Sequence, residues 1–456
     1  MRSVALHNLG CKVNSYELDV IGQKLAEKGF SIVPFDEVAD IYIINTCSVT
    51  NIADRKSRQM LHQAKKRNPS AVVVAVGCYV QTGGERTLSD EAVDLVIGNN
   101  RKKDVVEILE EYLRDREKTD KTLGGKTVVD IGRETEYEEM QLSGTAEHTR
   151  ACIKIQDGCN QFCSYCIIPY ARGRVRSRRE EDILREVQGL VSKGFREIVL
   201  TGIHISSYGL DFDGRKNPAP GEPFPCQRLL HLLRELDRVE GLGRIRLGSL
   251  EPRIITPEFA AELKEVKKLC RHFHLSLQSG CDETLNRMNR HYTAGEYSEK
   301  VELLRKTFEH PAITTDVIVG FPGESEEEFE KTKRFLEEIR FYEMHVFSYS
   351  RRRGTVAAAR NDQVPEPVKK RRSEILLELA GRQSREFRRE YIGREVDVLF
   401  EESREIEGIC CQVGYTGEYI RAAKKTGESL SGKICAGRLT GFAKDNKSSD
   451  NLLWME

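Results

Sequence analysis

The run Asp157-Gly158-Cys159-Asn160-Gln161-Phe162-Cys163-Ser164-Tyr165-Cys166 constrains this chain more than any other stretch of it. Three cysteines stand within eight residues on a turn led by a glycine. Thiolates packed this closely can converge on one soft metal centre. Two kinds of centre come into question. A structural zinc site takes four ligands, usually as two short Cys pairs, and here needs one from elsewhere. A [4Fe-4S] cluster on three thiolates keeps one iron open to another ligand. The run directly follows an apolar segment, Ala151–Gln156, so the fold has to deliver the end of a strand to a metal.

That segment opens a series of alternating elements. Ala151–Gln156, Glu197–Leu200, Arg244–Leu247, His272–Leu277, Thr315–Val319 and Glu343–Ser348 read as strands, with helical patterns between them. Six β/α units in a row predict a six-stranded partial barrel, an open relative of the eightfold one. Its chemistry belongs at the carboxyl ends of the strands. A first, separate β/α series precedes it. Ser3–Leu9, Asp40–Asn45, Ala71–Val76 and Asp94–Ile97 alternate with helical stretches and predict a parallel sheet with helices on both faces. The polar segment 117–148 between the series reads as a linker with one short strand, Thr127–Ile131. After Pro365 and Pro367, a basic helix runs to about Tyr391. Five short apolar runs split by glycine follow: Glu395–Phe400, Cys410–Val413, Tyr419–Ala423, Ile434–Ala436 and Arg438–Phe442. Their spacing predicts a small antiparallel barrel. Residues 444–456 read as a loose tail. The fold class is therefore α/β, with expected boundaries 1–116, 117–148, 149–364, 365–391, 392–443 and 444–456.

The chain has 456 residues, enough for several domains, and no run approaches the ~20 apolar residues that span a bilayer. The start Met1-Arg2-Ser3-Val4 lacks the shape of a signal peptide. The cytoplasm is the expected compartment, where thirteen cysteines point to metal rather than disulfides. The 72 basic and 72 acidic residues cancel, so any nucleic-acid surface has to be a local patch. Arg172, Arg174, Arg176, Arg178 and Arg179 crowd the segment after the Cys run, and of these Arg172, Arg174 and Arg176 are the candidates for phosphate contacts.

Cys11, Cys47 and Cys78 each follow an apolar run of the first series. Parallel strands end on one edge of their sheet, so three such residues converge in the crevice where these sheets bind ligands. Converging thiolates again imply a soft metal centre. The ordinary alternative is three small buried residues, since free cysteine is commonly buried. The other seven cysteines show no ligand spacing.

Gly10-Cys11-Lys12-Val13-Asn14-Ser15-Tyr16-Glu17, Asn45-Thr46-Cys47-Ser48-Val49, Gly77-Cys78 and the run from Gly158 to Pro169 together resemble the methylthiotransferase family of radical S-adenosylmethionine enzymes. Gln278-Ser279-Gly280, Val319-Gly320-Phe321-Pro322-Gly323-Glu324 and Ser348-Tyr349-Ser350-Arg351 agree. The resemblance spans nearly the whole chain. It implies an N-terminal cluster domain, a radical S-adenosylmethionine core and a C-terminal barrel similar to the RNA-binding TRAM domain. It also implies two [4Fe-4S] clusters, one on Cys159, Cys163 and Cys166 that cleaves S-adenosylmethionine, the other on Cys11, Cys47 and Cys78 that carries sulfur. Tyr165, before the third Cys, fits the family, and Gly202 is its candidate for the cofactor's amino group. Glu251 and Gln278, after the third and fourth strands, are candidates for ribose or substrate, or ordinary strand-end polar residues. The Asn8-Leu9-Gly10-Cys11-Lys12-Val13-Asn14 opening is most similar to the branch acting on N6-threonylcarbamoyladenosine beside the tRNA anticodon. The isopentenyladenosine branch usually carries Gln-Met after that Cys, and the branch acting on a ribosomal protein aspartate Pro-Lys. The implied activity is addition of a methylthio group to C2 of N6-threonylcarbamoyladenosine at tRNA position 37. Its partners would be the tRNA anticodon loop, a reductant such as a flavodoxin or ferredoxin, and a sulfur donor. The alternatives are the other two substrates or a non-catalytic RNA-binding protein with zinc.

Overall fold

The computed structural model of the chain describes residues 2–114, 116, 120–144, 149–215, 217–445 and 448–456. Its first unit is a parallel sheet in the order β2-β1-β3-β4-β5, with β1 Ser3–Asn8, β2 Ser31–Val33, β3 Ile41–Thr46, β4 Val72–Gly77 and β5 Leu95–Ile97. β3 and β4 are buried along their whole length, as unbroken apolar strands covered on both faces must be. The helix Lys12–Glu27 covers one face with Val13, Tyr16, Val20, Ile21 and Leu25. β2 lies outside the expected strands; it is three residues long, on the sheet edge, and mostly exposed.

Residues 120–144 contain no strand, so the expected Thr127–Ile131 strand is corrected. A turn at Leu123-Gly124-Gly125, all three at positive φ, breaks the extended path. The segment instead follows the sheet edge, with Val96 N–H donating to Lys121 O (3.0 Å) and Gly98 N–H to Thr127 O (2.8 Å). It then reaches the second unit, where Leu142 N–H donates to Glu186 (2.8 Å). Residues 117–119 and 145–148 of the expected linker lie outside the described residues.

The second unit is the expected six-stranded parallel half-barrel. Its strands are β6 Arg150–Asp157, β8 Glu197–Gly202, β9 Arg244–Leu247, β10 His272–His274, β11 Ala312–Val319 and β12 Glu343–Ser348, with the two-residue β7 Arg176–Ser177 antiparallel on β6. Single bridges at Ile245–Leu269 and Leu250–Leu275 join the two halves of the sheet. Helices such as Ala294–Thr307 and Glu326–Ile339 pack outside, and Phe273, Ile313, Val317 and Val319 meet them in the main core. The lumen face is polar: Arg246 pairs with Glu197 (2.8 Å) and His272 stands beside it on β10.

The last unit is a closed five-stranded barrel in the order β13-β14-β15-β17-β16. β13 is Glu395–Ile406, β14 Ile409–Thr416, β15 Arg421–Lys425, β16 Ile434–Asp445 and β17 Ser448–Met455. Two expectations are corrected here. Ile434–Ala436 and Arg438–Phe442 form one strand, because Gly437 marks a close approach rather than a turn: a Cβ there would meet Met455 Cε at 2.3 Å and Glu456 O at 2.4 Å. The supposed loose tail supplies β17, which closes the barrel between β15 and β16 and buries Leu452, Leu453 and Met455.

This barrel seats on the floor of the half-barrel. Arg244 and Arg246 donate to the carbonyls of Tyr415 and Gly417 (both 2.9 Å), and the Arg246 guanidinium lies 4.4 Å over the Tyr419 ring. His272 packs against the same ring. The helix Glu366–Glu390 connects the units along β12, turning Lys369, Arg372 and Arg388 inward; Arg372 pairs with Glu324 (2.7 Å) and Arg388 with Glu343 (2.7 Å).

Candidate active site between two cysteine triads

Cys159 follows β6 through Gly158, which has φ +71° and could carry no Cβ, since one would stand 1.8 Å from Arg174 O. The loop is pinned from several sides. Cys159 N–H donates to Gly173 O (3.0 Å), Ser164 N–H to Met288 O (3.0 Å) and Ala357 N–H to Ser164 O (2.8 Å). Arg290 reaches in and donates to Cys163 Sγ (3.4 Å). Burial, then the neighbouring Cys163, pushes the Cys159 thiol up to about 12, and the same causes raise Cys166. Thiols this reluctant to ionise become thiolates only against a nearby cation, as a bound metal provides.

The N-terminal triad is assembled by topology. Cys11 follows β1 and stands just before the helix Lys12–Glu27; Cys47 follows β3; Cys78 begins the helix Cys78–Gly83 after β4. Gly10 sits so close to Cys47 that a Cβ would lie 3.0 Å from its Sγ. Asn14 ties the loops together, donating to Leu9 O (2.8 Å) and Thr46 O (3.0 Å). Asn99 donates to Cys78 Sγ (3.5 Å) and to Ala171 O (2.7 Å) of the other cluster loop. Burial, then Cys78, raises the Cys47 thiol to about 11.

Between the triads lies a buried ionic network. Arg172 donates to Glu17 Oε1 (2.8 Å), Asp157 Oδ2 (3.1 Å) and Asn14 Oδ1 (2.6 Å), and Lys154 pairs with Glu17 (2.8 Å) and Asp157 (2.6 Å). Lys102 also pairs with Glu17. Burial works to raise both carboxyls, but Arg172 and the lysines outweigh it and hold them well below the usual range. Arg172 Nε and two nitrogens of Arg176 are buried without acceptors. Surplus buried donors beside cysteine loops suit an anionic centre, which three thiolates and their cluster would be.

The structure divides the predicted site residues. Arg172 and Arg176 are corrected: they are 1% and 0% exposed, so neither meets a phosphate. Glu17 and Asp157 hold Arg172, and Arg176 lies inside with Asp157 3.9 Å away. Arg174 is exposed, its guanidinium 4.6 Å from the Phe162 ring, and Phe162 meets the exposed Tyr170 edge-on. Tyr165 packs into a small apolar cluster with Met288, Phe321 and Tyr349. Gly202 ends β8 packed close against its neighbours: a Cβ there would stand 3.0 Å from Gln156 O and Oε1. Glu251 accepts from Arg253 Nε (2.8 Å) and caps a short turn, while its charge still acts on Cys159. Gln278 is held at φ +71° and its side chain has no hydrogen-bond partner among the described residues. Arg290, Asn99 and Asn14 escaped the sequence reading; only Asn14 had a signal, its place three residues after Cys11.

Comparisons with known proteins agree with this geometry. Residues 153–336 match the radical SAM superfamily and residues 3–98 an uncharacterized family, UPF0004. The chain is 41% identical to the threonylcarbamoyladenosine tRNA methylthiotransferase MtaB of Bacillus subtilis, covering 95% of this chain and 93% of that one. It is 43% identical to the protein of that name in Aquifex aeolicus, covering 88% and 93%. It is 35% identical to a tRNA-2-methylthio-N(6)-dimethylallyladenosine synthase of a Thermoanaerobacter species, covering 87% and 81%. Among solved structures, the radical S-adenosylmethionine methyltransferase TsrM of Kitasatospora setae superposes with a TM-score of 0.52 over 76% of this chain and 73% of its own, at 16% identity, a likeness of fold.

Proposed function

The chain belongs to the methylthiotransferase family of radical S-adenosylmethionine enzymes, and from that premise we propose that it adds a methylthio group to C2 of N6-threonylcarbamoyladenosine at position 37 of tRNA. The observation that carries this reading is the pair of cysteine triads on two strand-end edges, facing one another across the Arg172–Glu17–Asp157 network. S-adenosylmethionine and a [4Fe-4S] cluster belong to the superfamily's core; a second cluster on Cys11, Cys47 and Cys78 is part of the proposal. When bound, the core cluster and S-adenosylmethionine supply a carbon radical strong enough to take a hydrogen atom from an unactivated C–H bond.

The chain's own work is positioning and exclusion of water. Cys159, Cys163 and Cys166 would hold the core cluster, and Arg290 donates to the sulfur of Cys163. Gly202, at the end of β8, is the candidate to meet the cofactor's amino group, and Gln278 offers an uncommitted amide. Phe162, Tyr170 and Arg174 form an aromatic and cationic lip beside the cluster loop. Splayed bases of a single-stranded loop stack on such a lip. No helix among the described residues is long and apolar enough to cross a membrane. The reading further includes a cytoplasmic location, a flavodoxin- or ferredoxin-like reductant and a separate sulfur donor.

Mass spectrometry of tRNA nucleosides from a deletion strain tests the reading. Loss of 2-methylthio-N6-threonylcarbamoyladenosine, restored by the wild-type gene and not by Cys163→Ala, is the expected result. An unchanged level of that nucleoside with loss of the dimethylallyl counterpart would assign the other substrate.

A further inference from the structure

The strands β10, β11 and β12 each send one face to the helices and the other to the lumen. Phe273, Val317 and Val346 go outward to the core. His274, Asp316 and His345 come off the opposite face, in a register that sets Asp316 beside His345 and His274 beside Thr314. Their nitrogen and carboxylate atoms all lie within 4.8 Å of one another. His274 Nε2 stands 3.3 Å from Asp316 Oδ2, and its Nδ1 is held by Thr314 Oγ1 at 3.0 Å. The His345 ring lies 5.9 Å from that of His274, tilted by 31°. The three are open to the lumen: the Asp316 side chain is 29% exposed, and His345 more so. Below them His272 and Tyr419 form a floor; Gln278 follows β10 toward the cluster loop. Lys12, the residue after Cys11, is exposed and has no ion-pair partner among the described residues. It begins the helix Lys12–Glu27, whose Glu17 meets Lys154 of β6 (2.8 Å), so it stands over the same sheet.

We infer that His274, Asp316 and His345, with Lys12 at the rim, form the subsite for the N6 substituent of the target adenosine and select a polar, carboxylate-bearing one over an apolar one. This rests on the tRNA methylthiolation reading. A threonylcarbamoyl group ends in a carboxylate and a hydroxyl. The His345 imidazole N–H and Lys12 donate to the carboxylate, Asp316 accepts from the hydroxyl or the ureido N–H, and His274, engaged by Thr314 and Asp316, holds the Asp316 carboxylate in place. A dimethylallyl group in the same place would strip these side chains of water and give them no partner. Sites built from hydrogen-bonding groups reject analogues that lack the matching polar atom far more strongly than apolar pockets do.

The test uses the reconstituted full-length enzyme and anticodon stem-loops carrying either N6-threonylcarbamoyladenosine or N6-dimethylallyladenosine. The wild type should methylthiolate the first. His345→Phe and Asp316→Asn should lower kcat/KM for it by about 10²-fold, chiefly through KM, and His345→Asn should recover part of the loss. The ratio of dimethylallyl to threonylcarbamoyl turnover should rise in His345→Phe. Iron content and cluster absorbance should match the wild type in all three, which separates recognition from misfolding. Unchanged kcat/KM in both His345→Phe and Asp316→Asn would overturn the inference while leaving the wild-type activity, and so the functional reading, in place. A non-cluster divalent metal that survives chelator dialysis and disappears in His345→Phe would also overturn it, making the trio a metal site. A wild type inactive on the threonylcarbamoyl stem-loop would sink the functional reading itself.

Discussion

The two cysteine triads reach the same end by opposite routes. Cys159, Cys163 and Cys166 lie within eight residues, and the local turn at Gly158 does most of the placing. Cys11, Cys47 and Cys78 span 68 residues and meet because β1, β3 and β4 are parallel neighbours. A local motif carries its geometry with it. A topological one exists only while the whole sheet does, so the N-terminal triad should be the more fragile of the two and the more dependent on its surroundings.

The strongest way to break this contrast is chemical. Anaerobic reconstitution should load about eight irons per chain, and replacing either triad with alanine should leave about four. Cys163→Ala should abolish both S-adenosylmethionine cleavage and product. Cys47→Ala should still cleave the cofactor to 5′-deoxyadenosine yet form no methylthio product. Equal loss of both steps in the two variants would make the triads one unit.

Next comes the network between them. Arg172→Gln leaves Glu17 and Asp157 buried with less positive charge, which should cost about 3–5 kcal/mol in urea unfolding of the apoprotein. Arg174→Gln, two residues on but exposed, should stay within about 0.5 kcal/mol. Because Glu17 and Asp157 have lowered pKa values in the fold, their stabilisation is complete above the ordinary carboxylate range. It is lost as pH falls below about 4.5 toward their depressed values. The stability gap between the wild type and Glu17→Gln should therefore narrow on acidification; a constant gap would show that the network is not ionic in the fold.

Glycines offer a finer cut. Gly158→Ala sets a Cβ against Arg174 O, and Gly10→Ala sets one against Cys47 at a φ of +114°. Each should cost about 1–3 kcal/mol and reduce iron on its own triad, as followed by the ratio of cofactor cleavage to product. The smallest effect concerns the lip. Arg174→Glu should weaken stem-loop binding and lower the salt slope of log K by about one.

The sequence carried the strand periodicity of both β/α series plainly, since buried parallel strands are long apolar runs. It carried the cysteines as well, because ligand chemistry depends on residue type. What it could not carry was partnership. Five arginines after the cluster loop look alike in a row, yet Arg172 and Arg178 are absorbed by Glu17, Asp157 and Glu186, and Arg176 is buried; none of those acids is adjacent in sequence. β17 was hidden for a similar reason: Ser448–Met455 is a short run after a polar stretch of sequence, and only pairing with β15 and β16 makes it a strand. Gly437 was misread as a break because the approach of Met455 is invisible from either segment alone.

The seating of the C-terminal barrel has one more consequence. Tyr419 is wedged under Arg246 and His272, and the carbonyls around it hold Arg244 and Arg246. Deleting residues 393–456 would therefore leave Arg244, Arg246 and Glu197 at the bottom of the chamber facing solvent. We propose that the same barrel also grips RNA; on that reading the module that holds distant parts of the tRNA is the chamber's base plate, and a poor RNA fit there is passed to the strands that carry His272 and His274.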